Sequence, residues 1–325
     1  MNCQYFYYNI DSSVYAIMYS FVRVLINNYE RGHINMRIIA DKTCIVIEEI
    51  EHFDLKQTLE CGQCFRYECI SNNEYLVIAK NRILHIKQED NILFFYNSTM
   101  EEVQSIWCPY FDLNRDYGTI KRWLNEQDNL IGEAIEQKSG VRILNQEFFE
   151  MLITFIISQN KQIPHIMQIV ERISERFGEY IGEWNGKRYY SFPTPEALSK
   201  ATEQDFLDMK AGFRAKYLVD ACRKVVSQEL CENELRQMNY GEALEKIQIV
   251  KGIGEKVGNC VLLFGLGRRE AFPIDVWMIR ILERLYFDEP VKKDEMQAFA
   301  KEHFGEYGGY AQQYLFYYAR DNRVK

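Results

Sequence analysis

The residues best placed to do chemistry are Lys256 and Asp275. Lys256 stands just beyond the glycines of Gly252-Ile253-Gly254-Glu255-Lys256, and Asp275 follows Pro273 in Phe272-Pro273-Ile274-Asp275. A Gly-x-Gly between two helices marks a turn that needs residues with free φ. The amides at the start of the following helix are unpaired and can hold a phosphate without any lysine. A lysine in that first helical turn sits at the positive end of the helix dipole. Burial acts in the same direction, so the reading predicts an ammonium pKa below the reference of about 10.4. A neutral amine is a nucleophile able to form a Schiff base with a sugar carbon. Asp275 is predicted to cap the next helix, and a capped carboxylate is held rigid. A fixed anion there can stabilise positive charge developing on a sugar as its base leaves. Taken singly, each feature has a plainer reading: a turn, a solvent-facing lysine, a helix cap.

The elements that must position this pair fall into three zones. Residues 1–35 are tyrosine-rich without a clear pairing pattern and read as an extension, and Met36 offers a second candidate start. Residues 36–140 are mostly strand-like, with strands predicted at 43–48, 65–70, 75–79, 83–87 and 92–96 between turn signals such as Asn72-Asn73 and Glu89-Asp90. Short helices are predicted at 100–107 and 117–125. Residues 141–325 turn helical: Phe148, Met151, Leu152, Phe155 and Ile156 recur at helical spacing. Further helices are predicted at 163–177, 214–228, 255–267, 276–286, 293–303 and 311–320. The fold class is α+β: an antiparallel sheet region followed by an all-α region.

Composition narrows the class. With 325 residues, 47% hydrophobic and 26% charged, the chain is long enough for two or three packed domains. The net charge of −8 argues against long-range attraction to nucleic acid. Local charge differs, because residues 210–224 carry Lys210, Arg214, Lys216, Arg223 and Lys224 against one acid, Asp220. Nine cysteines follow no framework. Cys61-x-x-Cys64 with Cys69 has neither a second pair nor a nearby histidine to complete a metal site, so reduced thiols are expected. The apolar stretch 13–26 is interrupted by Arg23 and falls short of the about 20 residues a membrane span needs. A soluble, intracellular protein is expected.

The motif Gly-Ile-Gly-Glu-Lys followed by Pro-Ile-Asp-Val resembles the helix-hairpin-helix DNA glycosylase superfamily. Members with lysine at the position of Lys256 excise a base and then cut the strand by β-elimination. Other stretches are similar to the 8-oxoguanine DNA glycosylase family, whose N-terminal region is a TBP-like sheet. Gly62-Gln63-Cys64-Phe65-Arg66 matches its Gly-Gln-x-Phe-Arg motif, where the glycine carbonyl accepts from the N7–H that guanine lacks. Tyr310-Ala311-Gln312-Gln313-Tyr314-Leu315-Phe316 matches the segment supplying a base-edge glutamine, Gln312, and a stacking phenylalanine, Phe316. Cys260 falls where the family places a cysteine on the base's other face. Asn160 and Arg214 match contacts to the orphaned cytosine, and Phe213 an aromatic wedge in the stack. The resemblance implies double-stranded DNA containing oxidised guanine as partner, and a monomer working in the cytoplasm or nucleoid. It implies no iron–sulfur cluster, with a monovalent or divalent cation on the hairpin as an option.

Departures from the family pattern are specific. His165 stands where eukaryotic members have an arginine on the opposite cytosine. Trp277 and Ala319 replace a histidine and an aspartate, a paired change that points to a bacterial-type subfamily. His165 predicts weaker discrimination among opposite bases. Three other classes compete. Endonuclease III-type enzymes carry cluster cysteines after the catalytic aspartate, whereas this chain has none after Cys260. Alkylated-base glycosylases share the layout but usually lack the lysine. A non-enzymatic hairpin module would explain Gly252 and Gly254 yet leave Lys256, Asp275, Gly62 and Gln312 as coincidences.

Overall fold

The computed structural model of the chain describes residues 27–28, 36–41 and 43–324. The predicted 1–35 extension therefore lies outside the described residues, except for the backbone of the strand β1 (Asn27–Asn28).

Strand formation follows the alternation of side chains. In β6 (Arg82–Glu89) Leu84, Ile86 and Gln88 face inward, and in β7 (Ile92–Tyr96) Leu93 and Phe95 do so, while their neighbours face out. Pairing them antiparallel sets Ile86 opposite Phe95, and β3 (Cys44–Glu48) adds Ile45 and Ile47 on the same face. With β2 (Arg37–Ala40), β4 (Tyr67–Ser71) and β5 (Glu74–Ala79) the sheet runs β1-β2-β3-β7-β6-β5-β4, every pair antiparallel. The helical turns from Met100 to Tyr110 cover one face, burying Trp107 and Phe111 against Ile47, Ile86 and Phe95. A second hairpin, β8 (Tyr180–Trp184) with β9 (Lys187–Tyr190), packs Tyr189 on Leu76 and Ile78. β5 is buried along nearly its whole length because both its faces are covered.

The helices are α1 (Leu55–Glu60), α2 (Tyr117–Gln127), α3 (Gly132–Gln137), α4 (Phe148–Ser158), α5 (Ile163–Phe177), α6 (Ala215–Val226), α7 (Tyr240–Ile247), α8 (Glu255–Gly265), α9 (Val276–Tyr286), α10 (Lys293–Phe304) and α11 (Gly308–Asp321), with shorter turns between them. Helix α4 is apolar except along Glu150, Thr154 and Ser158, and is buried along nearly its whole length because it packs into the helical core against α8. Tyr117, Ile120, Leu124, Ala134 and Ile135 come before residue 141, yet they bury in this helical core.

The irregular segment 140–146 joins the two regions. Asp54 N donates to Gly140 O (2.8 Å), Asn145 N to Tyr110 O (2.9 Å) and Gln146 N to Phe264 O (3.2 Å). Arg142, 2% exposed, donates to the carbonyls of Glu51 (2.8 Å), His52 (3.1 Å), Asp112 (2.7 Å) and Arg115 (3.0 Å) and stacks on Tyr117. One guanidinium thus satisfies two loops that the sheet and α2 leave without ladder partners.

Replacing Arg142 by Met strands those carbonyls, so Arg142→Met is expected to lower unfolding stability by about 3 kcal/mol. Urea denaturation followed by tryptophan fluorescence measures it; a loss under about 1 kcal/mol would mean that the carbonyls find water instead.

Candidate active site

Helices α7 and α8 form a hairpin around the turn 248–254. Gly252 has φ +79°, and a Cβ there would lie 2.4 Å from the Tyr217 ring, so both conformation and space require glycine. Gly254 differs from expectation: its φ is −96°, open to any residue, and a Cβ would meet nothing within 4 Å. What Gly254 supplies is bare backbone at the N-cap of α8, ahead of that helix's unpaired amides.

The turn is fixed from behind by α6. Asp220 Oδ2 accepts from Lys251 N (2.8 Å), Lys224 pairs with Asp220 at 3.0 Å, and the Lys224 ammonium also donates to Ile249 O. Burial raises the Asp220 pKa, but these donors outweigh it and leave the carboxyl below its usual range. Two members of the basic run 210–224 are therefore committed inward, Lys224 here and Arg214 below.

From the first two turns of α8, Lys256 and Cys260 look into a pocket of about 350 Å³ with open solvent included. Its walls are Gly62, Phe155, Lys256, Cys260, Phe264, Pro273, Asp275, Gln312, Gln313 and Phe316. Motif and spacing mark Gly62, Lys256, Cys260, Asp275, Gln312 and Phe316 as site residues; they do not mark Phe155, Phe264, Pro273 or Gln313. Phe155 stacks on Phe264 at 5.4 Å, and the Lys256 ammonium lies 5.9 Å from the Phe155 ring centre. Periodicity identifies Phe155 only as a core residue, and nothing local separates a pocket wall from a core face.

Asp275 caps α9 as expected, its Oδ1 accepting from Trp277 N and Met278 N, both at 3.0 Å. Both cap bonds use one oxygen, so Oδ2 remains for the pocket. The loop before it is pinned by Arg269, which donates to Asn145 Oδ1 (2.6 Å), and by Gln297, which donates to Phe272 O (2.9 Å). Burial pushes the Cys260 thiol above its usual pKa, and the neighbouring Lys256 charge offsets part of that. The Asp275 charge acts on the same thiol, which places all three groups together.

Gly62 ends the turn after α1 with φ +91°. The neighbouring Gln63 amide donates to Thr58 O (2.8 Å) and Arg142 O (2.7 Å) and accepts from Leu144 N (2.9 Å), while Gln146 donates to Gln63 O (2.7 Å). Behind Gly62 stands Arg320, which donates to Glu60 O (2.9 Å). Opposite, Gln312 is 5% exposed and its Oε1 has no hydrogen-bond partner. A buried amide oxygen without a partner costs free energy unless a ligand satisfies it. Phe316, half-buried, lies on the same side of α11 one turn later.

A second cavity, about 510 Å³ with open solvent included, adjoins the first at Lys256 and is lined by Gly254, Glu255, Lys256, Ile274, Lys293 and Gln297. Lys256 belongs to both walls.

A separate cluster forms around the end of α4. Arg214 is buried, donating to Ala211 O (3.1 Å), Asn160 O (3.3 Å) and Gln159 O, with its Nε unpaired. Asn160 is exposed in the left-handed region (φ 51°), Phe213 projects at 54% exposure over Arg214, and His165 is exposed in the first turn of α5. Trp277 is half-buried under Arg280 and Ala319 is fully buried, on helices α9 and α11 that pack together.

Among the described residues no group of three His, Cys, Asp or Glu is arranged to hold a metal. The Cys61 and Cys64 thiols donate to Thr58 O (3.2 Å) and Leu59 O (3.5 Å). Among the described residues no helix is long and apolar enough to cross a membrane.

Residues 45–152 match the family described as 8-oxoguanine DNA glycosylase, N-terminal domain, and residues 153–305 the HhH-GPD superfamily of base excision DNA repair proteins. A Saccharomyces cerevisiae protein named N-glycosylase/DNA lyase is 31% identical over 258 residues, 71% of this chain and 68% of its own. The Clostridium acetobutylicum 8-oxoguanine glycosylase/lyase, solved with double-stranded DNA containing cytosine opposite 8-oxoG, superposes with a TM-score of 0.85 at 39% identity. That match covers 88% of this chain and 98% of the other. The 3-methyladenine DNA-glycosylase of Archaeoglobus fulgidus shares the fold at a TM-score of 0.67 and 22% identity, covering 85% of this chain and 98% of its own.

The two hairpin glycines are expected to separate in mutagenesis. Gly252→Ala should cost about 2 kcal/mol or more of stability through the Tyr217 overlap and positive φ. Gly254→Ala should stay within about 1 kcal/mol of the parent yet weaken duplex binding. Thermal melting and fluorescence anisotropy on the same preparations distinguish them, and equal stability losses would refute the assignment.

Proposed function

We propose, from the premise that this chain belongs to the 8-oxoguanine DNA glycosylase family of helix-hairpin-helix base-excision repair proteins, that it flips 8-oxoguanine out of duplex DNA, excises it through a Lys256 Schiff base and then cuts the strand. The observation that carries this reading is the place of Lys256, on the wall shared by the pocket and the second cavity. A flipped nucleotide has its base in the first, its backbone in the second and its C1′ between them.

The α8 amides beyond Gly254 take a phosphate, and Phe213 enters the gap left in the stack. Asn160 and Arg214 meet the orphaned base; Arg214 would exchange its loop carbonyls for that base. Exposed His165 lacks the fork of an arginine, so selection for cytosine is weak. In the pocket the Gly62 carbonyl tests N7–H, Gln312 reads the Watson–Crick edge, and Phe316 and Cys260 hold the two faces.

Lys256 attacks C1′ as the free amine, forming a C–N bond while the bond to N9 breaks and the base leaves with a proton. The C1′–O4′ bond then opens, O4′ taking a proton as the C1′=N iminium forms. The Asp275 carboxylate stabilises the positive charge first on the sugar and then on that iminium. Loss of a C2′ proton expels the 3′ phosphate, which is β-elimination. No redox partner is required. A monovalent or divalent cation on carbonyls of the 248–254 turn would add to phosphate affinity, although the Lys224 ammonium already serves Ile249 O. The pocket walls come from the two regions 36–140 and 141–325, which act as the two domains of a monomer on chromosomal DNA in the cytoplasm or nucleoid.

Lys256→Gln should abolish turnover and borohydride trapping on an 8-oxoguanine duplex while leaving lesion binding nearly intact. DNA binding without a trapped adduct in the parent would instead mark a non-enzymatic module. Asp275→Asn keeps the cap, so its melting temperature should hold while single-turnover excision slows by about 10²–10³; a parallel loss of stability would make Asp275 merely structural. Excision opposite thymine, guanine and adenine should approach that opposite cytosine, and His165→Arg should restore a cytosine preference. Strict cleavage opposite cytosine in the parent would count against the role given to His165.

A further inference from the structure

Gln313 lines the same pocket as Gln312, is 2% exposed, and its Nε2 has no hydrogen-bond partner. Burying an amide NH₂ without a partner is costly, and apolar residues would fill the space better. Consecutive helical residues point about 100° apart, so both glutamines reach one pocket only by flanking it. Phe316, three and four residues on, sits between them. The Gln313 amide lies beside the buried Cys61 thiol, whose pKa burial pushes up to about 11 and this amide partly offsets. The amide nitrogen has no hydrogen-bond partner in the resting site, so it can donate to a ligand.

We infer that Gln313 is a second base-reading residue, donating from Nε2 to O6 of the flipped 8-oxoguanine while Gln312 Oε1 accepts from N1–H and the 2-amino group. The Watson–Crick edge of the lesion presents one acceptor beside two donors. The two unpaired groups, the Gln312 oxygen and the Gln313 NH₂, are the complement of that set. Gln312 by itself satisfies only one side of the edge. This inference rests on the base-excision reading above.

The test compares the parent with Gln313→Ala and Gln313→Met, the second keeping length but not the donor. The ratio of 8-oxoguanine excision to cleavage at a preformed abasic site, where no base meets residue 313, should fall about tenfold in both. The parent should also prefer 8-oxoguanine over its 6-thio analogue, a weaker acceptor, and both variants should lose that preference. Their response to 8-oxohypoxanthine, which lacks only the 2-amino group, should match the parent's, because Gln312 reads that position. If Gln313→Met behaves as the parent, or the position-6 preference survives in either variant, Gln313 only fills space and the inference is overturned. A parent that does not excise 8-oxoguanine at all would overturn the underlying reading as well, and is seen before any variant is made.

Discussion

The Gln63 amide is the interaction on which the arrangement depends. Fully buried, it uses both ends: two bonds to the carbonyls of Thr58 and Arg142, one from the Leu144 amide. Those partners lie on α1 and on the irregular segment that leads into α4. Irregular backbone buried between two packed regions has no ladder of its own, so a side chain must supply the pairing. Gln63 does this beside Gly62, and so a pocket wall from the sheet region is fixed to helices distant in sequence. Arg142 does the same for the loops behind it, and Gln146 closes the set through Gln63 O.

The acidic net charge and the reading of DNA as partner are reconciled by where charge is spent. Lys224 and Arg214 do not form an outward basic face; they serve carbonyls of the hairpin and of the loop after α4. On the proposed reading, positive potential for a phosphate comes from helix-start amides, and the turn before them is held by a lysine pointing inward. Such a site contributes no long-range field, which suits a protein that must dwell on an altered nucleotide rather than coat duplex DNA.

Much of the fold is legible in the residues themselves. The helices Ile163–Phe177 and Val276–Tyr286 fall at their expected bounds because each joins a strong apolar period to a clear start, Pro164 in the first turn of one and the Asp275 cap before the other. The strand Ile92–Tyr96 likewise matches because alternation and flanking turns agree. The strand Arg37–Ala40, the hairpin Tyr180–Tyr190 and the helix Leu55–Glu60 are not legible in the same way. Each is short, and their faces are buried by partners far along the chain: Tyr189 against Leu76, and Leu55 and Leu59 beneath the sheet.

By itself the sequence determined which groups are available for chemistry: a lysine in the first turn after a glycine hairpin, a capping aspartate, a glycine motif and a glutamine–phenylalanine pair one helical turn apart. Those are local statements, and local spacing encodes them. Only the tertiary structure decided that Gly62, Lys256, Cys260, Asp275, Gln312 and Phe316 share one pocket. It alone showed that Gly252 needs its conformation while Gly254 does not, and that Phe155, Phe264 and Gln313 complete the wall. The physical reason is that burial and unpaired polar atoms are properties of packing. A residue's type says what it can donate or accept, and its neighbours in space decide what is left unsatisfied.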